Sequence, residues 1–208
     1  AGQARIIALT AILRLRQLCL SPEILLPKTK SPSPKVEFLV EQLEELFDEG
    51  HSVLVFSQFT SFLDIVEKAL LARDFNFMRL DGRTPVGERK KLINAFQKSE
   101  APSAFLLSLK AGGKGLNLTR ATYVFHLDPW WNPAVEDQAS DRAHRIGQVN
   151  QVTITRLVMR HTIEEKMMEL KKRKLALYKA LLEDTAIGGV SGIGREDFDF
   201  LLGQGGNS

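Results

Sequence analysis

Between Lys35 and Val158, short apolar runs alternate with amphipathic helical stretches, and no other feature of the chain limits its fold so strongly. The run SVLVF at 52–56 is apolar and β-branched, the composition of a strand buried on both faces. Further strands are predicted at 76–80, 104–108, 122–127 and 152–158. Before the first strand, Val36, Leu39, Val40, Leu43, Leu46 and Phe47 fall on one face of a helix that Gly50 ends. Residues 61–73, 86–98 and 134–144 also read as helices, and the second of these is expected to bury Leu92, Ile93 and Phe96. Strands joined through helices predict an α/β fold with a parallel sheet, doubly wound and covered on both faces. In such sheets ligands bind beyond the carboxyl ends of the strands. Four loops of distinctive chemistry follow strands here: SQF, DGRT, KAGGKG and DPWWNP. They are expected to gather along one edge.

The flanks read differently. Residues 1–20 form a helical appendage with Ile6, Leu9, Ile12, Leu13 and Leu20 at helical spacing. Prolines 22, 27, 32 and 34 make 21–34 an extended connector, because proline removes a donor and disfavours helix before it. The main domain spans 35–160, a long helix 161–185, and a glycine-rich tail 186–208 that is expected to be mobile apart from EDFDFLL at 196–202. Thr162 and Glu165 make a capping box for the long helix. Its stripe is Ile163, Met167, Leu170, Leu177 and Leu181, and Lys171 to Lys174 form a solvated basic turn. The lone Cys19 excludes an internal disulfide and any multi-cysteine metal site, and its apolar context predicts a buried residue. No apolar run reaches the ~18 residues that span a bilayer. The net charge of +3 permits a nucleic-acid partner without demanding one. The chain opens on Ala, as a piece of a longer protein would.

Candidate chemistry is concentrated in 106–148. The lysine in AGGKGLN invites comparison with a phosphate-binding P-loop, but Ser108 and Gly115 stand where that motif needs Gly and Ser or Thr. The chain therefore carries no recognisable triphosphate cradle. Glycines 112, 113 and 115 permit either close approach of backbone to a ligand or simply a tight turn. Arg142 and Arg145, one turn apart, project from one helix face with Gln138 a turn earlier. They can reach one anion together, or stand solvated or ion-paired. The four histidines have no metal-ligand spacing, so no metal site is assigned. Trp130 and Trp131 either contact a partner or pack under their loop. Thr84, before Pro85, can cap the helix that follows.

The pieces LRQLCLSP (15–22), VLVFSQF (53–59), RLDGRT (79–84), LKAGGKGLNLTRA (109–121), DPWWNP (128–133) and DQASDRAHRIGQ (137–148) together resemble a known family. It is the C-terminal RecA-like lobe of the Swi/Snf DNA-dependent ATPases, among the superfamily-two helicase-like motors. TIEEKM (162–167) is similar to the lead into that family's bracing helix. The resemblance implies that Arg142 and Arg145 are arginine fingers, with Gln138 facing the nucleotide. It puts Gly115 and Asn117 at the ribose, and Ser57, Gln58, Gly82, Arg83, Thr84 and Lys110 along a DNA groove. Trp131 falls where DNA engagement couples to hydrolysis. Lys110 stands where many members have Arg, keeping the charge but losing the bidentate fork.

ATP and Mg2+ are the implied cofactors, with magnesium held mainly by a first lobe that this sequence lacks. The implied partners are double-stranded DNA and that N-terminal RecA-like lobe, in a monomeric protein without a membrane. The implied function is ATP-dependent DNA translocation of the chromatin-remodelling type, with the lobe inactive as an ATPase alone. Compact spacing from 35 to 184 leans towards a bacterial, cytoplasmic and nucleoid-associated member; a eukaryotic one would be nuclear. Two alternatives stand beside it. One is an RNA or DNA helicase lobe that unwinds duplex, disfavoured by GLN in place of an acidic residue and by DPWWNP and RIGQ. The other is a non-catalytic module, binding DNA or serving as scaffold.

Overall fold

The structure is a computed structural model that describes the backbone of residues 2–108, 116–131, 133–141, 143, 151–183 and 194–203. The chain divides into two units, Leu20–Leu157 and a second made of Ala1–Cys19 with Val158–Ser208.

Five described strands make the parallel sheet of the larger unit: β1 (Ser52–Ser57), β2 (Phe77–Leu80), β3 (Ala104–Ser108), β4 (Ala121–His126) and β5 (Thr153–Arg156). Their order across the sheet is β2-β3-β1-β4-β5, which puts β1 at the centre. All six residues of β1 are buried, as its composition requires. Alternation sends Val53, Val55, Ala104, Leu106, Phe125 and Leu127 to one face and Leu54, Phe56, Phe105, Leu107 and Val124 to the other.

Helices cover both faces. On the first face lie α2 (Pro34–Asp48) and α3 (Thr60–Ala72), which contribute Leu39, Leu43, Phe62, Leu63, Val66 and Leu70. On the second lie α4 (Val86–Lys98), through Phe96, and α5 (Pro133–Ser140), through Ala139. The fold is therefore α/β and doubly wound.

Local chemistry sets the ends of α2. The Ser33 hydroxyl accepts from the Val36 amide, and Pro34 takes the first helical position, where its missing N–H is no loss. At the other end Gly50 has φ +83°, and the His51 amide reaches back to the Leu46 carbonyl at 2.8 Å. That is a left-handed glycine stop, closed by a bond to the third residue from the helix end.

α4 departs from expectation. Thr84 does not cap it: its hydroxyl accepts from the Asp81 amide at 3.0 Å, while its own amide donates to the Asp81 carbonyl. Pro85 stands at the cap position with no side-chain bond, so Thr84 closes the preceding turn instead.

The smaller unit holds α1 (Gly2–Leu20, whose last residue falls in the larger unit), α6 (Ile163–Glu183) and α7 (Arg195–Leu202). In α1, Ile12 and Leu20 are buried, whereas Ile6, Leu9 and Leu13 are exposed. Apolar residues fall all round this helix, so no single face can hide them. Cys19 is half-buried rather than fully enclosed.

The cap of α6 forms one position offset from the expected box. Thr162 Oγ1 accepts from the Glu164 amide, and the Glu165 carboxylate from the His161 amide. Ile163, Met167 and Leu170 are buried as the stripe predicts, while the side chains of Leu177 and Leu181 lie outside the described residues. The basic turn is not wholly solvated. Lys174 bonds Asp197 of α7 at 2.6 Å, and the Arg173 guanidinium pairs with Glu169 and lies over the Phe200 ring. The 196–202 segment is thus a helix seated on α6. No described helix is long and apolar enough to cross a membrane.

Candidate nucleotide and nucleic-acid edge

Every strand of the sheet is parallel, so the loops after β1, β2 and β4 leave from the same edge. Two polar nodes hold them there.

The first node is Asp128, buried immediately after β4. Its carboxylate accepts from Ser57 Oγ at 2.7 Å, from the Gln58 amide at 3.2 Å and from Gln58 Nε2 at 2.8 Å. Gln58 Nε2 also donates to the Pro129 carbonyl at 3.0 Å. One carboxylate therefore locks the loop after β1 to the loop after β4. Ser57 is fully buried, and its hydroxyl also accepts from the Phe59 amide. The remaining contact surface of this loop lies with half-buried Gln58.

Behind the node, buried Lys35 of α2 donates from Nζ to the carbonyls of Leu127 (2.6 Å) and Leu157 (3.2 Å), beyond the ends of β4 and β5. A lysine buried in this way supports backbone shape rather than offering a surface charge. Trp130 packs under its loop, edge-on to His126 with ring centres 5.2 Å apart, and edge-on to Phe56. Trp131 is half-buried.

The second node surrounds Asp81, just after β2 and 2% exposed. It accepts from Arg79 Nε (2.9 Å), the Arg83 amide (2.8 Å) and Arg83 Nη2 (2.9 Å). Arg83 also reaches Asp64 of α3 at 2.8 Å, and Arg79 reaches Asp64 and Glu67. Arg79 is nearly buried and holds the node together, whereas Arg83 is 63% exposed while its Nη2 is held by Asp81 and Asp64. Gly82 beside it is exposed and has no atom within 4 Å of where a Cβ would stand.

Burial pushes the Asp64 and Asp81 carboxyls up, but hydrogen bonds and charge from Arg83 and Arg79 outweigh it and hold both below the usual carboxylate value. The same carboxylates raise Arg83. Because the folded carboxyls titrate below their unfolded values, near ~3.9, this node stabilises fully above that pH and fails as pH falls through the folded values. Acidification below about pH 4 should therefore lower the urea midpoint. Asp81→Asn should lower it at neutral pH and flatten the acid limb.

α5 is fixed to the same edge by three contacts. His126 Nε2 and Ser140 Oγ are 2.9 Å apart, Arg156 of β5 donates to the buried Glu136 carboxylate, and Ala139 and Ala143 are buried against the sheet. The backbone of Gln138 lies in this helix, but its side chain lies outside the described residues, as do Arg142, Arg145, Gly115 and Lys110 altogether. Asn117 is exposed on the way into β4. Sequence patterns missed Lys35, Asp128, His126 and Glu136, because their partners lie 14 to 122 residues away. Only DPWWNP gave a signal, and it pointed to the tryptophans rather than to the aspartate.

The model of the helicase conserved C-terminal domain matches residues 34–147, the stretch that holds both nodes and α5. The chain is 43% identical over 155 residues to the DNA repair protein RAD5A of Arabidopsis thaliana, covering 74% of this chain and 15% of that protein. It is 43% identical over 151 residues to the chromatin-remodeling ATPase INO80 of Saccharomyces cerevisiae, covering 73% of this chain and 10% of that protein. The chain thus spans only a small part of the curated relatives it matches. A crystal structure of the C-terminal part of the Fun30 ATPase domain superposes with TM-score 0.68 at 39% identity, over 83% of this chain and 53% of that one. The chain belongs to the helicase conserved C-terminal domain family, as a RecA-like C-terminal lobe related to the Swi/Snf-type (SNF2) ATPases.

Proposed function

We propose that the chain is the second motor lobe of an ATP-dependent double-stranded DNA translocase. A preceding lobe supplies the phosphate cradle and the magnesium ligands. This lobe supplies Arg142 and Arg145 to the developing charge on the transferred phosphoryl group, with Gln138 beside them and Gly115 and Asn117 at the ribose. Gln58, Gly82, Arg83, Thr84 and Lys110 meet DNA phosphates, which set position without reading sequence. Ser57 acts from beneath, by holding that surface through Asp128. Trp131 couples DNA contact to hydrolysis. In a eukaryotic cell this work lies in the nucleus.

The observation that carries the reading is Asp128. It fastens the loop after β1 to the loop after β4 at the sheet edge where α5 is also anchored. A change in the loops at the DNA surface can therefore reach the helix leading to the arginines through three direct links: Asp128, the short run to Trp130, and His126. A binding module has no need of that connection.

The test is ATP hydrolysis by a chain carrying both lobes, with duplex DNA, RNA or neither, beside the 208-residue chain alone. Turnover stimulated by duplex DNA in the longer chain, and absent from the single lobe, is the expected result. Stimulation by RNA would favour the helicase alternative, and no hydrolysis would favour the binding module.

A further inference from the structure

The opposite edge of the sheet carries a polar cavity of about 470 Å³ that the motor reading does not use. It lies at the amino ends of β1, β4 and β5. β1 is six residues long, so the cavity stands about 20 Å from the motif loops.

The register of β4 against β1 slips at this point. Ser52 pairs with Ala121 but Val53 pairs with Tyr123, leaving Thr122 as an extra, bulged residue. Bulges re-aim side chains and recur beside sites. Here Thr122 Oγ1 lies 2.8 Å from His51 Nδ1, which sets the imidazole in the cavity wall.

Arg120 supplies the charge. Its Nε donates to Ser52 Oγ at 3.2 Å and its Nη2 to the Ala101 carbonyl at 3.1 Å. Both partners are neutral, and no carboxylate pairs with Arg120 among the described residues. The guanidinium is thus fixed in place, uncompensated, with Nη1 free to donate. Gln151, Thr153 and Tyr123, whose ring is edge-on to His51, line the same cavity, and their side chains hydrogen-bond no other described residue. No acidic side chain lines it among the described residues. Glu49, 3.7 Å from His51 Nε2, is exposed outside the wall.

We propose that this cavity binds a tetrahedral oxyanion, phosphate or a phosphate monoester, with Arg120 as its charge partner. A pre-positioned guanidinium ringed by neutral donors, with no carboxylate beside it among the described residues, suits such a group, because a fixed fork loses little freedom on binding. The site is separate from the nucleotide and DNA edge and stands whether or not the motor reading does.

The test is calorimetric titration of the 208-residue chain with sulfate, inorganic phosphate and glycerol phosphate, with backbone amide NMR run in parallel. The expected result is saturable binding that shifts resonances at 50–52, 120–123 and 151–153. Preference for phosphate or for its ester would identify a free ion or an esterified group as the natural occupant. Arg120→Gln should weaken binding about tenfold or more, the loss of one charge-assisted contact. Arg120 also ties Ser52 to Ala101, so the Tyr123→Phe, Thr153→Val double variant supplies a second reading that leaves those bonds intact. It should weaken binding several-fold. Absence of saturable binding, shifts confined to 81–84, or equal binding in both variants would overturn the proposal, the last two marking an adventitious ion only.

Discussion

Arg145→Ala in a chain carrying both lobes should cut DNA-stimulated ATP turnover by about 10³-fold while leaving the affinity for duplex DNA close to unchanged. An arginine that meets charge only as it develops lowers the barrier without adding to ground-state binding, so the loss belongs in kcat rather than KM. Arg145→Lys should recover little, because a compact ammonium cannot reproduce the planar fork. The base from which the arginine segment departs is rigid. His126 holds Ser140, Arg156 holds Glu136, and Ala139 and Ala143 are buried against the sheet. Transition-state stabilisation requires a finger delivered in one geometry, and the anchored α5, which ends at Ser140, precedes Arg145 in the sequence. Steady-state kinetics with saturating DNA would decide it. Hydrolysis indifferent to this residue would remove the catalytic reading of the arginine pair and leave a DNA-binding lobe.

The sheet was legible because its evidence is local. SVLVF has the composition of a strand buried on both faces, and β1 is that strand; 86–98 carries its own apolar period, and α4 has those bounds. What escaped was decided at a distance. Thr84 looked like a cap because Pro85 follows it, but the turn at Asp81 competes for the same hydroxyl and wins. The 196–202 segment is amphipathic but makes a helix too short to stand alone, and it is fixed by Lys174 and Arg173 of α6, more than twenty residues earlier. Ser57 resembles a surface residue of a contact loop until Asp128, 71 residues on, is known to receive its hydroxyl. Lys35 is the plainest case. A lysine in the first turn of an amphipathic helix reads as solvated, yet it is buried under two strand ends. Pairing across such separations leaves no trace in periodicity or spacing.

That dependence on a distant partner makes Asp128→Ala the most damaging change expected in the lobe itself, with a loss of about 3 kcal/mol in stability. The substitution removes the acceptor of Ser57 Oγ and of the Gln58 amide, and leaves Gln58 Nε2 only the Pro129 carbonyl, where one carboxylate now serves all three donors. Ser57→Ala should cost less, about 1–2 kcal/mol, because it removes a donor together with its bond and takes one acceptor from the Phe59 amide. The Ser57→Ala, Asp128→Ala double variant should therefore be less damaged than the sum of the singles, and urea unfolding of all four chains would measure the coupling. Asp128→Asn should fall between, since its oxygen still accepts but its amide turns a second donor towards Gln58. Strict additivity would mean that the carboxylate acts alone and does not tie the two loops. A clear coupling would place the link between the two loops and the anchored α5 in a buried residue beneath the proposed DNA surface. In the two-lobe chain, Asp128→Asn should then weaken the stimulation by DNA more than it weakens basal hydrolysis.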